Sequence, residues 1–202
     1  MAEELSLVEL LRPHAEGDAL ARLAAYAELL ERWSQRHNLV SFRDRSELVR
    51  RHLVDALAAR DLLVGSGALL DVGSGAGLPG VPLLAVRPAW RGVLLEPRQK
   101  RWAFLRLVVR ELGLDATVER VRYQDYGSPG FSFDVIAARA LGRHAELVGW
   151  SAGRVAEGGR VVLWSTEEDE AVLRGLAGWR VLSSPMPSLS RGRLVQLLPC
   201  FT

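Results

Sequence analysis

The spacing of apolar residues changes near residue 66, and the change divides the chain. Before it, the spacing is helical. From Asp18 to Trp33 the apolar positions Leu20, Leu23, Ala27 and Leu30, flanked by Tyr26, Leu29 and Trp33, recur at helical intervals. A second stripe, Leu48, Val49, Leu53, Ala56 and Leu57, follows Ser46, which can cap its helix. The polar stretch Arg36-His37-Asn38-Leu39-Val40-Ser41 connects the two. From Leu69 onward, short apolar runs of the buried-strand type alternate with helical segments. Strands are expected at 68–72, 91–96, 116–121, 133–138, 159–164, 178–184 and 193–198, with helices near 79–86, 98–112, 143–156 and 168–176. Such alternation predicts an α/β fold, a mostly parallel seven-stranded sheet with helices on both faces. Only Ser184 to Gly192 separates the last two strands, and Pro185 and Pro187 suit that loop, so these strands should pair antiparallel. The expected organisation is a small helical cap over residues 1–65 and a main domain over residues 66–202.

Composition narrows this picture. A chain of 202 residues accommodates one main domain with a modest appendage, and a hydrophobic share of 49% is ordinary for a globular protein. Cys200 is the only cysteine, so no internal disulfide is possible and a reducing cytoplasm is the expected location. Met1-Ala2-Glu3-Glu4 lacks the basic start of a signal peptide, and no apolar run is long enough to span a membrane. The net charge of +2 is unevenly spread: between Arg87 and Arg143 eleven Lys/Arg face six Asp/Glu, a local +5. Basic residues there can meet phosphates or simply form solvated helix faces. Lys100 is the only lysine among 26 basic residues, a bias better read as a property of the genome than as a choice of arginine at each site. The acidic run Glu167-Glu168-Asp169-Glu170 reads as a helix start, where the dipole favours acids, rather than as a metal site.

The candidate chemistry centres on Asp71-Val72-Gly73-Ser74-Gly75-Ala76-Gly77-Leu78-Pro79-Gly80. A strand, a turn with Gly73, Gly75 and Gly77 at alternate positions, and a helix that tolerates Pro79 in its first turn bring backbone N–H groups close to a ligand. Leu78 stands where a dinucleotide fingerprint needs a small residue, and the P-loop lysine is missing. Glu96 closes the next apolar run, Gly92-Val93-Leu94-Leu95, where an acid can hold ribose hydroxyls.

Asp-x-Gly-x-Gly-x-Gly resembles the first motif of class I (Rossmann-like) S-adenosylmethionine-dependent methyltransferases. More of the chain resembles one of their families, the small-subunit ribosomal RNA guanine-N7 methyltransferases, also called the glucose-inhibited division protein B or RsmG family. The resemblance is carried by Trp33 with His37-Asn38-Leu39, Arg51-His52-Leu53-Val54-Asp55, Leu78-Pro79-Gly80-Val81-Pro82, Lys100-Arg101 with Phe104-Leu105, Phe133-Asp134, and Arg139-Ala140. It implies that Gly73, Gly75, Gly77 and Leu78 hold the methionine part of S-adenosylmethionine, Glu96 the ribose, and Tyr123 and Gln124 the adenine. Arg139 would face cofactor or target guanine as the catalytic residue. Asn38, His52, Arg122 and Arg193 would contact 16S ribosomal RNA or the small ribosomal subunit.

The chain also departs from the family pattern. Gln124 replaces an acid, Trp164-Ser165 replaces Lys-Gly, Ala56 replaces a serine, and Pro199-Cys200 stands in place of a closing lysine. These differences leave two other readings open: a methyltransferase with another RNA or small-molecule acceptor, and a catalytically silent RNA- or ribosome-binding protein. Guanine N7 carries a lone pair and needs no deprotonation, so methyl transfer requires neither a catalytic triad nor a metal, and His37 and His52 read as fold residues. Arg98, Lys100, Arg101, Arg122, Arg139, Arg143 and Arg193 are candidate RNA contacts, while Trp102 and Trp164 read first as packing residues. If Trp164 faces the site, it would narrow the target pocket.

Overall fold

The computed structural model describes residues 5–127, 130–186 and 191–200; Met1 to Glu4 and Pro187, used above, lie outside them. Helix α1 (Leu7–Leu11) opens with a capping box in which Ser6 and Glu9 satisfy each other's backbone N–H groups. Helix α2 (Gly17–His37) is longer than its apolar stripe suggested. Arg36 and His37 therefore belong to its last turn rather than to a connector, and Asn38 ends it with φ of 48°.

The second helical stripe is buried as expected but is not one regular helix. Asp44, not Ser46, caps α3 (Arg45–Leu48) by accepting from the Glu47 N–H at 2.8 Å. Val49–Val54 then widens into a π turn and Leu57–Leu62 tightens into a 3-10 turn. Leu48, Val49, Leu53, Ala56 and Leu57 all remain buried, so packing kept the stripe while backbone geometry adjusted around it.

Strands β1 (Gly67–Val72), β2 (Trp90–Leu95), β3 (Ala116–Glu119), β4 (Phe133–Arg139), β5 (Val155–Thr166), β6 (Trp179–Pro185) and β7 (Gly192–Pro199) form one sheet in the order β3-β2-β1-β4-β5-β7-β6. The first five strands run parallel and β7 is antiparallel to both neighbours, as the short last connection required. Helices α4 (Gly80–Val86), α5 (Gln99–Glu111), α6 (His144–Ser151) and α7 (Glu167–Leu173) complete the fold. The helix expected at 143–156 stops at Ser151, because Val155 pairs with Phe133 and the following residues extend β5. Thr166 caps α7, whose first turn holds the acidic run.

Two cores cover the two faces. On one, α1, α2, α4, α5 and the irregular turns share a single apolar cluster with β1, β2 and β4; on the other, α6 and α7 pack against the remaining inward positions. The order in which successive strands are added reverses between the parallel neighbours β1 and β4, the place where an open parallel sheet leaves a crevice beyond its carboxyl edge.

Candidate active site

The glycine turn lies at that crevice. Asp71, fully buried at the end of β1, accepts the Gly80 N–H at 3.0 Å, so one carboxylate closes the turn onto the start of α4. Burial, with nearby Glu96 adding to it, raises the Asp71 pKa to about 7. Gly73 has φ of 71°, and a Cβ there would stand 2.7 Å from Leu141 Cδ1. At Gly77, φ is 100° and a Cβ would meet Val81 Cγ2 at 2.7 Å. Conformation favours glycine at both positions, and at Gly77 the packed Val81, Leu105 and Tyr26 side chains leave no space for a Cβ either.

Glu96 lies one residue beyond β2 and is 3% exposed. Its Oε2 accepts from Gly75 N–H at 2.9 Å and its Oε1 from Arg98 N–H at 2.8 Å, which ties the glycine turn to the next strand. Each oxygen keeps acceptor capacity for a further partner. Next to this pair is a cavity of about 220 Å³ lined by Gly73, Leu95, Pro97, Val121, Arg122, Tyr123, Gln124, Leu141, Gly142 and Arg143. The structure thus brings Gly73, expected at the methionine part, Tyr123 and Gln124, expected at the adenine, and Arg122, expected at the RNA, around one space, with Glu96 at its edge. The sequence did not point to Leu141 and Gly142, which follow β4 without any motif, or to Glu146 on α6, which accepts from Tyr123 OH at 2.9 Å and Gln124 Nε2 at 3.0 Å. Arg101 stands at the turn, its Nη1 3.6 Å from where a Cβ on Gly75 would be. Leu78 has its side chain in the core shared with the N-terminal helices, so only its backbone is offered to the turn.

Arg139 does not line this cavity. It leaves β4 toward the helical segment, where Nη2 donates to Arg51 O at 2.7 Å, Nη1 donates to His52 O at 3.2 Å, and the Asp55 carboxylate lies 3.9 Å away. His52 itself is bound through Nε2 to the Ser41 carbonyl at 3.1 Å, which makes Nε2 the protonated nitrogen. Burial lowers the His52 pKa and favours the neutral ring. Trp164, 6% exposed, donates from Nε1 to Asp55 O at 2.6 Å and belongs to the same core. Trp164 thus packs in the core, as its first reading had it, and does not line the cavity beside Glu96. Trp102 likewise donates to Val118 O at 3.1 Å and carries Arg106 over its ring. Arg193 pairs with Glu167 at 2.7 Å and Glu170 at 3.3 Å on α7, and Asn38 is the exposed cap of α2.

Tyr26 is a further residue that the sequence hid. Its ring reads as core, but the buried hydroxyl donates to Ala76 O at 2.8 Å and so joins the helical segment to the glycine turn. Burial raises its pKa, so it stays a donor.

The strand order, the glycine turn after β1 and the acid after β2 define a class I methyltransferase fold. Magnesium protoporphyrin IX methyltransferase from Synechocystis PCC 6803, solved with bound SAM, matches it with a TM-score of 0.63 at 13% identity, covering 91% of this chain and 98% of that one. A ribosomal protein L11 methylase from Lactobacillus delbrueckii subsp. bulgaricus matches with a TM-score of 0.61 at 15% identity, over 79% and 81% of the two chains. These likenesses concern the fold alone. Sequence goes further: the profile of the family described as rRNA small subunit methyltransferase G matches residues 19–177. Ribosomal RNA small subunit methyltransferase G of Alkalilimnicola ehrlichii is 38% identical over 183 residues, 88% of this chain and 82% of that protein. Its namesake in Neisseria gonorrhoeae is 37% identical over 147 residues, 73% and 70% of the two chains. The chain belongs to the rRNA small subunit methyltransferase G family.

Proposed function

We propose that this protein transfers a methyl group from S-adenosylmethionine to N7 of a guanine in 16S ribosomal RNA, as free RNA or within the small subunit, in the cytoplasm. In this reading residues 66–202 are the methyltransferase domain and residues 1–65 its helical cap. One observation carries the cofactor assignment: the glycine turn, with Gly73 and Gly77 both at positive φ, puts Gly73 on a crevice at the sheet's switch point, and the buried Glu96 carboxylate locks the turn through Gly75. Gly73, Gly75, Gly77 and the Leu78 backbone would hold the methionine part, Glu96 the ribose, and Tyr123 and Gln124 the adenine. S-Adenosylmethionine, when bound, supplies an electrophilic methyl on a sulfonium sulfur.

The residues of the chain then have a positioning task. Guanine N7 attacks without losing a proton, so the site must orient the base and exclude water rather than supply a base catalyst. Arg139 suits this through its grip on the Arg51 and His52 carbonyls, which holds the helical cap over the carboxyl edge of β4. Arg101, Arg122 and Arg143 border the crevice with positive charge that fits a phosphate backbone. Arg193 and Asn38 stay in the proposal as outer RNA contacts, with Arg193 first having to leave Glu167 and Glu170.

The test is transfer of labelled methyl from S-adenosylmethionine to purified 30S particles and to free 16S RNA, followed by nucleoside analysis. N7-methylguanosine is the expected product. Another methylated nucleoside would overturn the acceptor, and cofactor binding without transfer to either substrate would redirect the search to a different acceptor.

A further inference from the structure

Gln124 stands where the family pattern has an acid, and the structure holds it by a residue outside the cavity. Glu146, on the first turn of α6, takes two donors, Tyr123 OH at 2.9 Å and Gln124 Nε2 at 3.0 Å, and forms an ion pair with Arg143, whose Nε lies 3.2 Å away. These bonds, led by the one from Gln124, lower its pKa, so at neutral pH it is a carboxylate that can only accept. An amide facing an acceptor-only group must turn its NH2 toward it. The amide oxygen is then left over, and it has no hydrogen-bond partner among the described residues while Gln124 borders the cavity. This exposed bond to Glu146 orients an amide able to donate or accept so that its oxygen is the group left to a further partner.

We propose that Glu146 is a specificity-positioning residue: it fixes Gln124 as a hydrogen-bond acceptor in the crevice and so selects an adenine, with its exocyclic amino group, over a 6-oxopurine. The assignment rests on the cofactor reading above. It gives Gln124 the polarity of the acid it replaces, with the charge moved to α6. Tyr123, held by the same Glu146 oxygen and braced edge-on against Trp150 at 5.3 Å, keeps the adjoining wall in place.

Calorimetry with S-adenosylhomocysteine and its deaminated counterpart, S-inosylhomocysteine, tests this. The wild-type protein should prefer the adenine ligand by about 100-fold, because the 6-oxo group sets acceptor against acceptor. Glu146→Leu frees the amide to rotate, and the preference should fall below about fivefold. The reciprocal variant Gln124→Glu with Glu146→Gln keeps an acceptor toward the crevice and should restore about 30-fold or more. A ratio unchanged in Glu146→Leu, with both ligands weakened alike, would mean that Glu146 merely supports the wall and would overturn the proposal. Failure of the double variant to recover the ratio would overturn it as well. Absence of S-adenosylhomocysteine binding to the wild-type protein would instead refute the cofactor reading itself.

Discussion

The crevice and the seam between the N-terminal helices and the sheet are built differently. In the crevice, Asp71 reaches Gly80 and Glu96 reaches Gly75, bonds that span 9 and 21 residues. In the seam, Tyr26 reaches Ala76 across 50 residues, Arg139 reaches Arg51 and His52 across 88 and 87, and Trp164 reaches Asp55 across 109. All the seam acceptors are backbone carbonyls. A carbonyl has no side-chain identity, so no residue pattern announces that an arginine or an indole will be spent on it. The two regions therefore predict separable phenotypes, loss of cofactor affinity or folding from the crevice, and loss of transfer with cofactor affinity kept from the seam.

The largest effect is expected in the crevice. Gly77→Ala forces a side chain into a backbone with φ of 100° and against Val81 at 2.7 Å, and should cost about 3 kcal/mol in denaturant unfolding. A loss below about 1 kcal/mol would show that the turn yields and that its geometry is not fixed by packing. At the seam, Arg139→Ala should cut methyl transfer to 30S particles about 100-fold while S-adenosylhomocysteine affinity changes less than about threefold. Arg139→Lys keeps charge but lacks the fork that grips two carbonyls, so most of the loss should persist. Unchanged transfer in Arg139→Ala would separate the seam from function altogether.

Asp71 sharpens the contrast through pH. Its folded pKa of about 7 lies above the ordinary carboxylate value of 3.8, so the folded protein holds this proton more tightly than the unfolded chain. The resulting stability is complete below about pH 4 and is lost as pH rises through 7. Asp71→Asn, which keeps an acceptor for Gly80 N–H and cannot ionise, should gain about 2 kcal/mol at pH 8 and flatten the slope between pH 4 and 7. Parallel stability curves for the two proteins would show that Asp71 is already ionised in the folded state. The smallest effect belongs to Trp164→Phe, which removes one indole N–H bond to Asp55 O and should cost about 1 kcal/mol with transfer reduced less than about threefold. A loss as deep as that of Arg139→Ala would place the indole at the acceptor instead of in the seam.

Much of the fold was legible because its signals are local. Every expected strand is present, from the run before Gly73 to the closing antiparallel pair, since the central strands bury short apolar runs and the edge strands β3 and β6 alternate half-buried and exposed positions. The errors fell where local signals compete. Ser46 and Asp44 can both cap a helix, and only packing chose Asp44. Residues 152–156 carry a helix-compatible pattern, but pairing with β4 drew Val155 into β5. At the candidate site, the glycines, Glu96, Tyr123 and Gln124 were readable from spacing and resemblance, whereas Leu141, Gly142, Glu146 and Tyr26 were not.

The sequence by itself determined the alternation of strands and helices, the glycine turn, the acid that follows the second strand and the family. These depend on backbone freedom and apolar periodicity, which act over a few residues and leave a direct trace in composition. Tertiary structure alone decided that Arg139 and Trp164 serve backbone carbonyls of the helical segment and that Glu146 orients Gln124. Those choices follow from which groups are buried together once the sheet has closed and each polar atom must find a partner.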